Sequence, residues 1–201
     1  DRTMTRSWAP PTTAMPLAGC SPLSSPDPVA LYRFGDMDPP STAPVADRTV
    51  VVLNAIDFPQ GASGDRILTT SGGQVAYLAG ARWIGPAEQL YRGALEAEFL
   101  RSGQSVGVSG RREAPRNGVT LELDIVSFEA RYLDGADAPP VVVIAGRARL
   151  IGTDRSVQAE STFISEQPAD TNRVSSVVAA FDSASAAFNR DLVAWVEASA
   201  R

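Results

Sequence analysis

Hydrophobic residues recur at helical spacing in two segments of the chain. In the first, positions 90, 91, 94, 95 and 99 are apolar, with Pro86 before them and a Ser-Gly pair after them. In the second, nine apolar positions within residues 174–196 follow i, i+3, i+4, i+7 spacing. Such stripes indicate helices that bury one face, the first of them opened by proline. We expect Asp170 or Thr171 to cap the second helix.

Shorter apolar and β-branched runs, bounded by Gly, Pro and Asp, predict strands around these helices. A Ser-Gly-Gly sequence at residues 71–73 predicts a hairpin turn. A turn signal at residues 152–155 joins two of the last three strands, which we therefore predict as an antiparallel meander. The predicted strands cover residues 29–34, 50–56, 66–70, 74–78, 106–108, 119–132, 141–151 and 157–164.

The longest predicted strand changes the side on which its apolar residues fall. Apolar positions alternate from Val119 to Ile125, and then continue from Val126 with the opposite parity. One extra residue in a strand produces such a change, so we predict a β-bulge near Ile125 and Val126. The elements together predict an α+β fold, a mostly antiparallel sheet with two amphipathic helices packed on one face.

Composition removes much of catalytic chemistry. All 18 basic residues are Arg, the sequence has no Lys and no His, and its formal charge is −5. Within this chain that excludes Ser-His-Asp and Cys-His sites, Schiff-base and P-loop lysines, and histidine zinc sites. The mild acidity argues against a nucleic-acid-binding protein. No apolar run exceeds five residues, so no helix that spans a bilayer is expected.

Two motifs suggest catalysis but have a simpler interpretation. Ser105 lies in a G-x-S-x-G sequence, yet a predicted helix enters it and a predicted strand leaves it, the reverse of a nucleophile elbow. The acidic pairs Asp36 with Asp38, and Asp134 with Asp137, lie at turn-prone positions and lack the ligand count of a calcium loop. We therefore expect no enzyme, no metal site and no cofactor, with a hydrolase that uses carboxylates alone as an open alternative.

The sequence Arg82-Trp83, just before the first helix, has two interpretations. Trp83 packs inside the protein near the helix start, or Arg82, Trp83 and Tyr91 contact a partner protein or lipid. Packing is the more common fate of a large aromatic side chain.

The Leu17-Ala-Gly-Cys20 sequence is typical of a bacterial lipobox, in which Cys20 becomes the acylated amino terminus. Its alternative is an ordinary reduced cysteine in a loop. The preceding residues 8–15 make a weak apolar region for a signal peptide, with two Pro and two Thr. Nine of the 15 prolines lie in residues 10–44, the composition of a tether. We therefore predict a signal-peptide remnant or disordered leader at 1–19, a lipid-anchor tether with a short first strand at 20–47, and one domain at 48–201.

Several motifs follow this lipobox in order along most of residues 20–196. They are Tyr32-Arg-Phe34, the strand at 50–56, Asp65-Arg-Ile-Leu-Thr-Thr70, Ala81-Arg-Trp83, Pro86 with its helix, the strand ending in Phe128, Arg147-Ala-Arg-Leu150 and the final helix. In this order they resemble the ABC-type transport auxiliary lipoproteins, a family that includes the paraquat-inducible protein C lipoproteins.

The resemblance implies a non-enzymatic periplasmic protein, lipid-anchored to the outer membrane. It implies an inner-membrane ABC permease and ATPase and an MCE-domain (mammalian cell entry) substrate-binding protein as partners, in a system that moves lipid or other hydrophobic molecules between membranes. Ser21 after the cysteine, in place of Asp, is similar to the outer-membrane sorting signal. A homo-oligomer is a further expectation. The alternative is an envelope scaffold or assembly lipoprotein with no part in lipid transport.

Overall fold

The computed structural model describes residues 28–35, 49–109 and 118–200, which form eight strands and two helices. Their bounds are β1 Ala30–Tyr32, β2 Thr49–Asp57, β3 Arg66–Ser71, β4 Gln74–Trp83, α1 Ala87–Ser102, β5 Val106–Ser109, β6 Val119–Arg131, β7 Val141–Ile151, β8 Val157–Pro168 and α2 Val174–Ser199.

Strand β6 organises the sheet because it borders three other strands. Strand β7 pairs antiparallel with it along nearly its whole length, and β8 pairs antiparallel with β7. The opposite edge of β6 is shared by β2, parallel to its first half, and β3, parallel at Ala130 and Arg131. Beyond β2 lies β5, and beyond β3 lie β4 and then β1.

This arrangement confirms the α+β class and the antiparallel meander of the last three strands. The sheet is mixed, however, because β1 with β4, β2 with β5, and both β2 and β3 with β6 are parallel. Periodicity identifies a strand but not the direction of its neighbour, which depends on residues far away in the chain.

The predicted bulge is confirmed. The register between β6 and β7 shifts between Ile125 and Ser127, so Val126 is the extra residue. Ile125 before the bulge and Phe128 after it are both buried on the helix-covered face. The bulge therefore keeps the apolar residues of a 13-residue strand on the core side despite their change in parity.

Both helices cover the same face of the sheet, where rings from helices and strands meet. Phe128 of β6 lies 5.1 Å from Phe181 of α2 and 6.2 Å from Tyr91 of α1, measured between ring centroids. Phe163 of β8 contacts Phe188 of α2 at 5.9 Å. Contacts of this kind add to the apolar area that the helices and sheet remove from water.

The helix starts differ in how well the sequence predicts them. Pro86 is the N-cap residue of α1, one position before the first helical residue, where a proline that opens a helix is expected. The capping prediction for α2 is wrong: the helix begins at Val174 with Arg173 before it and no side-chain cap. Thr171 instead accepts a hydrogen bond from the Arg173 N–H at 3.4 Å, outside the helix.

The short strand β1, inside the predicted tether, is firmly joined to the domain. It pairs parallel with the end of β4, and Phe34 after it is buried 4.8 Å from the Trp83 ring. The Gly35 N–H donates to Asp182 of α2 at 2.7 Å. Gly35 has a φ of +79°, and a Cβ there would lie 2.5 Å from the Ala94 Cβ of α1. Glycine is therefore required where the segment passes between the helices.

Candidate functional site

The three residues proposed to contact a partner have different environments. Trp83 is 2% exposed and Tyr91 is 0% exposed, so both side chains belong to the core. The Trp83 ring meets Phe181 edge-on at 5.2 Å. Arg82 points to solvent and pairs with Asp65 at 2.9 Å. The packing interpretation of Trp83 therefore describes the structure, and of the three only Arg82 presents a surface to a partner.

Tyr91 combines full burial with a hydroxyl that has no hydrogen-bond partner among the described residues. Burial raises the pKa of Tyr91 well above its usual value. Its ring packs against Phe58 at 5.5 Å and Phe188 at 6.3 Å. The ring packing and the neutral hydroxyl fit a structural residue of the α1–α2 interface.

The G-x-S-x-G segment is a helix-to-strand connection, as the sequence predicts, since α1 ends at Ser102 and β5 begins at Val106. The Glu197 carboxylate of α2 accepts hydrogen bonds from the N–H of Gln104 and, at 2.8 Å, from that of Ser105. The Ser105 hydroxyl donates to the same oxygen at 3.4 Å. Partial burial opposes ionisation, but these backbone bonds lower the pKa of Glu197 overall. Ser105 thus ties α2 to the connection between α1 and β5.

The remaining chemical candidates lie apart. Cys20, Asp36 and Asp38 fall outside the described residues. Asp134 and Asp137 are exposed in the turn between β6 and β7. In the part of the chain that the structure describes, no group of three metal-ligating side chains comes together.

The outer face, which we define as the side of the β6–β7–β8 meander turned away from α1 and α2, carries charges at one end. Arg149 pairs with Glu122 at 3.0 Å. Arg147 lies 3.8 Å from Asp124 and 4.0 Å from Glu160. These groups alternate in sign across neighbouring strands, the arrangement expected of cross-strand ion pairs.

The charged end also contains a small polar cleft of about 200 Å³. Asp57, Glu122 and Asp124 line it together with the two arginines, so it holds the carboxylates that a carboxylate-only hydrolase requires. Glu122 and Asp124 are, however, ion-paired and open to water. A carboxyl that acts as a general acid lies instead in an apolar pocket. The cleft has the character of a solvated ion-pair network.

Charge gives way to apolar surface at the bulge. Ala145 of β7 pairs with Ile164 of β8, which is 64% exposed, and with Ser127 of β6, directly after the bulge residue Val126, which is 62% exposed. Val126 and Ile164 line an open depression of about 500 Å³ around the smaller side chain of Ala145. Sequence reasoning missed this surface, although the bulge that exposes Val126 was predicted. The signal was present in β8, where Ile164 is the large apolar residue on a face otherwise polar.

A second depression, of about 350 Å³, lies beside the β3–β4 hairpin. Tyr77 and Tyr132 line it, and partial burial raises the pKa of Tyr132. Arg66 stacks over the Tyr77 ring at 3.7 Å from its centroid, and the Tyr132 hydroxyl donates to Asn172 at 2.9 Å. Both aromatic groups are thus held by intramolecular contacts.

Comparison with known proteins identifies the family of the chain. The model of the family described as "ABC-type transport auxiliary lipoprotein component" matches residues 32–193. The chain belongs to this family. Membership implies a lipoprotein of the cell envelope that is associated with an ABC transport system. The matched region starts at Tyr32, the last residue of β1, so the family domain extends into the predicted tether and includes Phe34 and Gly35.

Solved structures share the fold. Protein XCC0632 from Xanthomonas campestris is 22% identical, with a TM-score of 0.69 over 85% of this chain and 96% of that one. An uncharacterized protein is 18% identical, with a TM-score of 0.66 over 84% of this chain and 99% of that one. No curated protein matches the chain in sequence. Neither α1 nor α2 is both long and apolar enough to cross a bilayer.

Proposed function

We propose that this protein is a non-enzymatic, lipid-anchored periplasmic subunit of an MCE-type ABC system that moves lipid or other hydrophobic molecules between the inner and outer membranes. The observation that carries the proposal is the family match over residues 32–193. The lipobox at Cys20 and the order of the strand and helix motifs support it from the sequence.

The position of β1 limits how far such an anchor lets the domain move. Between Cys20 and Ala30, the first residue of β1, the chain has room for at most about 36 Å when fully extended. The domain then stays next to the membrane that holds the acyl chains, within reach of a complex crossing the periplasm. Acyl chains contribute about 0.8 kcal/mol per buried CH₂, so a multiply acylated cysteine anchors stably without a spanning helix.

A non-enzymatic role is supported by the chemistry of the described surface. Ser105 is bound to Glu197, and the carboxylates of the outer face are paired with arginines. The surfaces that remain are an ion-pair network, two shallow depressions and the free edges of the sheet, which are features of a protein that binds other molecules.

Metabolic labelling with an alkyne analogue of palmitate tests the anchor. Cys20 is the only cysteine of the sequence, so thiol acylation has a single possible site. We expect label on the wild type and none on Cys20→Ser, with Ser21→Ala as a labelled control. Unlabelled wild type would remove the anchor from the proposal. Fractionation of the membranes, with label in the outer-membrane fraction, tests the sorting suggested by Ser21.

Cross-linking in native membranes, followed by affinity purification, tests the transport system. We expect recovery of an MCE-domain protein together with the inner-membrane permease and ATPase. Recovery of envelope-assembly proteins in place of these would favour the scaffold alternative. Light scattering of the purified lipoprotein measures whether copies of the subunit also associate with one another, which we include in the proposal.

A further inference from the structure

Among the described residues, one edge of strand β8 has no partner strand. It runs for 12 residues and pairs with β7 on one side, and no other strand of the described residues pairs with it. A long, regular, unpaired edge presents a row of backbone donors and acceptors that can accept another strand.

The direction of each backbone group follows from the hydrogen bond at the end of the ladder. The Ala169 N–H donates to the Pro140 carbonyl at 2.9 Å, one step beyond the pair Val141 with Pro168. Hydrogen-bonded and non-hydrogen-bonded pairs alternate in an antiparallel ladder. The even-numbered residues of β8 therefore turn their N–H and C=O groups to the free edge. Proline at 168, in the same phase, fits this assignment because its position needs no donor to β7.

The same residues also turn their side chains to the outer face, where all of them are exposed. An added antiparallel strand would form hydrogen-bonded pairs with them, so its side chains directly opposite would lie on the outer face too. The four of these residues in the middle of the strand are Glu160, Thr162, Ile164 and Glu166.

These four side chains specify the chemistry of an added strand. Ile164 is 64% exposed and would contact a large apolar side chain directly opposite it on the added strand. Glu160 and Glu166 are acidic, and β8 contains no basic residue. Glu160 has Arg147 at 4.0 Å, whereas Glu166 has no ion pair among the described residues. Basic side chains opposite Glu160 and Glu166 would form ion pairs with these two carboxylates.

The same charges disfavour two ways of pairing this strand with a second copy of itself. Antiparallel pairing of β8 with itself about a two-fold axis near Phe163 would place Glu160 opposite Glu166 twice. Parallel in-register pairing would place each glutamate beside its own copy. Like charges directly opposite one another destabilise a strand pair.

We propose that the free edge of β8 binds an extended segment of another protein by strand addition. That segment carries basic residues opposite Glu160 and Glu166 and a large apolar residue opposite Ile164. The site is separate from the lipid anchor, and the inference holds whichever transport system the subunit serves.

A synthetic peptide tests the proposal. The probe is a fluorescein-labelled heptapeptide, arginine–threonine–leucine–threonine–threonine–threonine–arginine, whose odd positions face Glu166, Ile164, Thr162 and Glu160 in turn. Its controls are a scrambled peptide and one with glutamate in place of both arginines. Fluorescence anisotropy with the purified full chain should show saturable binding of the arginine peptide and weaker binding of both controls.

Two variants distinguish the contribution of backbone hydrogen bonds to peptide affinity from the contribution of side-chain charge. Thr162→Pro removes an outward N–H and leaves the ladder with β7 intact, so affinity should fall about tenfold, whereas Thr162→Ala should keep it. Glu166→Arg should weaken the arginine peptide about two- to fivefold and strengthen the glutamate peptide. Circular dichroism checks folding. If Thr162→Pro does not fold, the test rests on Glu166→Arg, which should weaken binding of the arginine peptide and strengthen binding of the glutamate peptide.

Three results would overturn the proposal. The first is no binding of the arginine peptide, or equal binding of the scrambled one. The second is affinity unchanged by both Thr162→Pro and Glu166→Arg. The third is a wild-type oligomer in sedimentation velocity that Thr162→Pro converts to a monomer, since the occupant of the edge would then be a second copy. A transport defect or its absence changes none of these outcomes, so they stand apart from the test of the proposed function.

Discussion

The helix-covered face of the sheet and the outer face of its β6–β7–β8 meander have different roles. The helix-covered face buries Ile125, Phe128 and Ile144 against rings from both helices. The outer face carries arginine–carboxylate pairs and leaves Ile164 exposed. The contacts that stabilise the fold therefore lie on the helix-covered face, whereas the outer face is available for binding. The following experiments test that division, from the largest expected effect to the smallest.

Removal of a large ring from the covered face should have the greatest effect. Trp83→Ala leaves a cavity beside Phe34 and Phe181, so we expect the free energy of unfolding to fall by about 3–5 kcal/mol. Urea denaturation followed by circular dichroism measures it. The matched control is Ile164→Ala on the outer face, which should change stability by about 0.5 kcal/mol or less. Equal losses in the two variants would contradict the division between the faces.

The segment that joins β1 to the covered face should be nearly as sensitive. Gly35→Ala meets both a φ of +79° and the Ala94 Cβ, so we expect a loss of about 1–3 kcal/mol. Gly72→Ala is the control, because its φ is +53° but nothing lies within 4 Å of an added Cβ. Thermal unfolding should show the larger decrease for Gly35→Ala. A larger decrease for Gly72→Ala would mean that close packing at β1 contributes little.

Glu197 should make stability depend on pH. Its pKa is lower in the folded protein than the ordinary value, so its stabilisation is present above the unfolded pKa and is lost as the pH falls through the folded pKa. Glu197→Gln should cost about 1–3 kcal/mol at neutral pH and unfold with a weaker dependence on acid. Denaturant titrations from neutral pH into the acid range measure both. Parallel pH profiles for variant and wild type would contradict the role of the carboxylate.

The outer-face ion pairs should matter least. Arg149→Ala breaks the 3.0 Å ion pair with Glu122, in which the two side chains are 43% and 36% exposed. We expect a loss of about 1 kcal/mol or less, reduced further by salt. Thermal unfolding at low and high ionic strength is the measurement. A loss as large as that of Trp83→Ala would show that the outer face shares in holding the fold together.

Local periodicity predicted much of this architecture. The stripe of α2, the meander and the bulge at Val126 all depend on residues near one another in sequence, and all are confirmed. The hairpin at Gly72 and Gly73 is confirmed as well, with φ of +53° and +86° at the two glycines. Side-chain direction repeats every two residues in strands and every 3.6 residues in helices, so nearby residues are enough to predict these features.

Features that depend on a distant partner were harder to predict. Gly80, with a φ of +68°, lies inside β4, which continues to Trp83 beyond the expected end at residue 78. Glu98 of α1 is a charged residue, yet it is buried, only 4% exposed. The extent of β4 past Gly80 and the burial of Glu98 both depend on the neighbouring elements of the fold and not on the residue type.

The candidate surfaces show the same limit. Arg82 and Trp83 are adjacent and were considered together, but one reaches solvent and the other fills the core. Alternation along β4 separates them, and only the helices above the sheet determine which side is buried. The free edge of β8 was likewise invisible in the sequence, since an edge is defined by the strand that is missing beside it.

The sequence by itself determined the helices, the position of the bulge and the lack of His and Lys, because each is set by residue type and short-range spacing. Tertiary structure decided the parallel pairing of β2 and β3 with β6, the burial of Trp83 and Tyr91, and the open edge of β8. Those properties arise when segments far apart in the chain compete to cover the same apolar surface, and no local pattern records which of them succeeds.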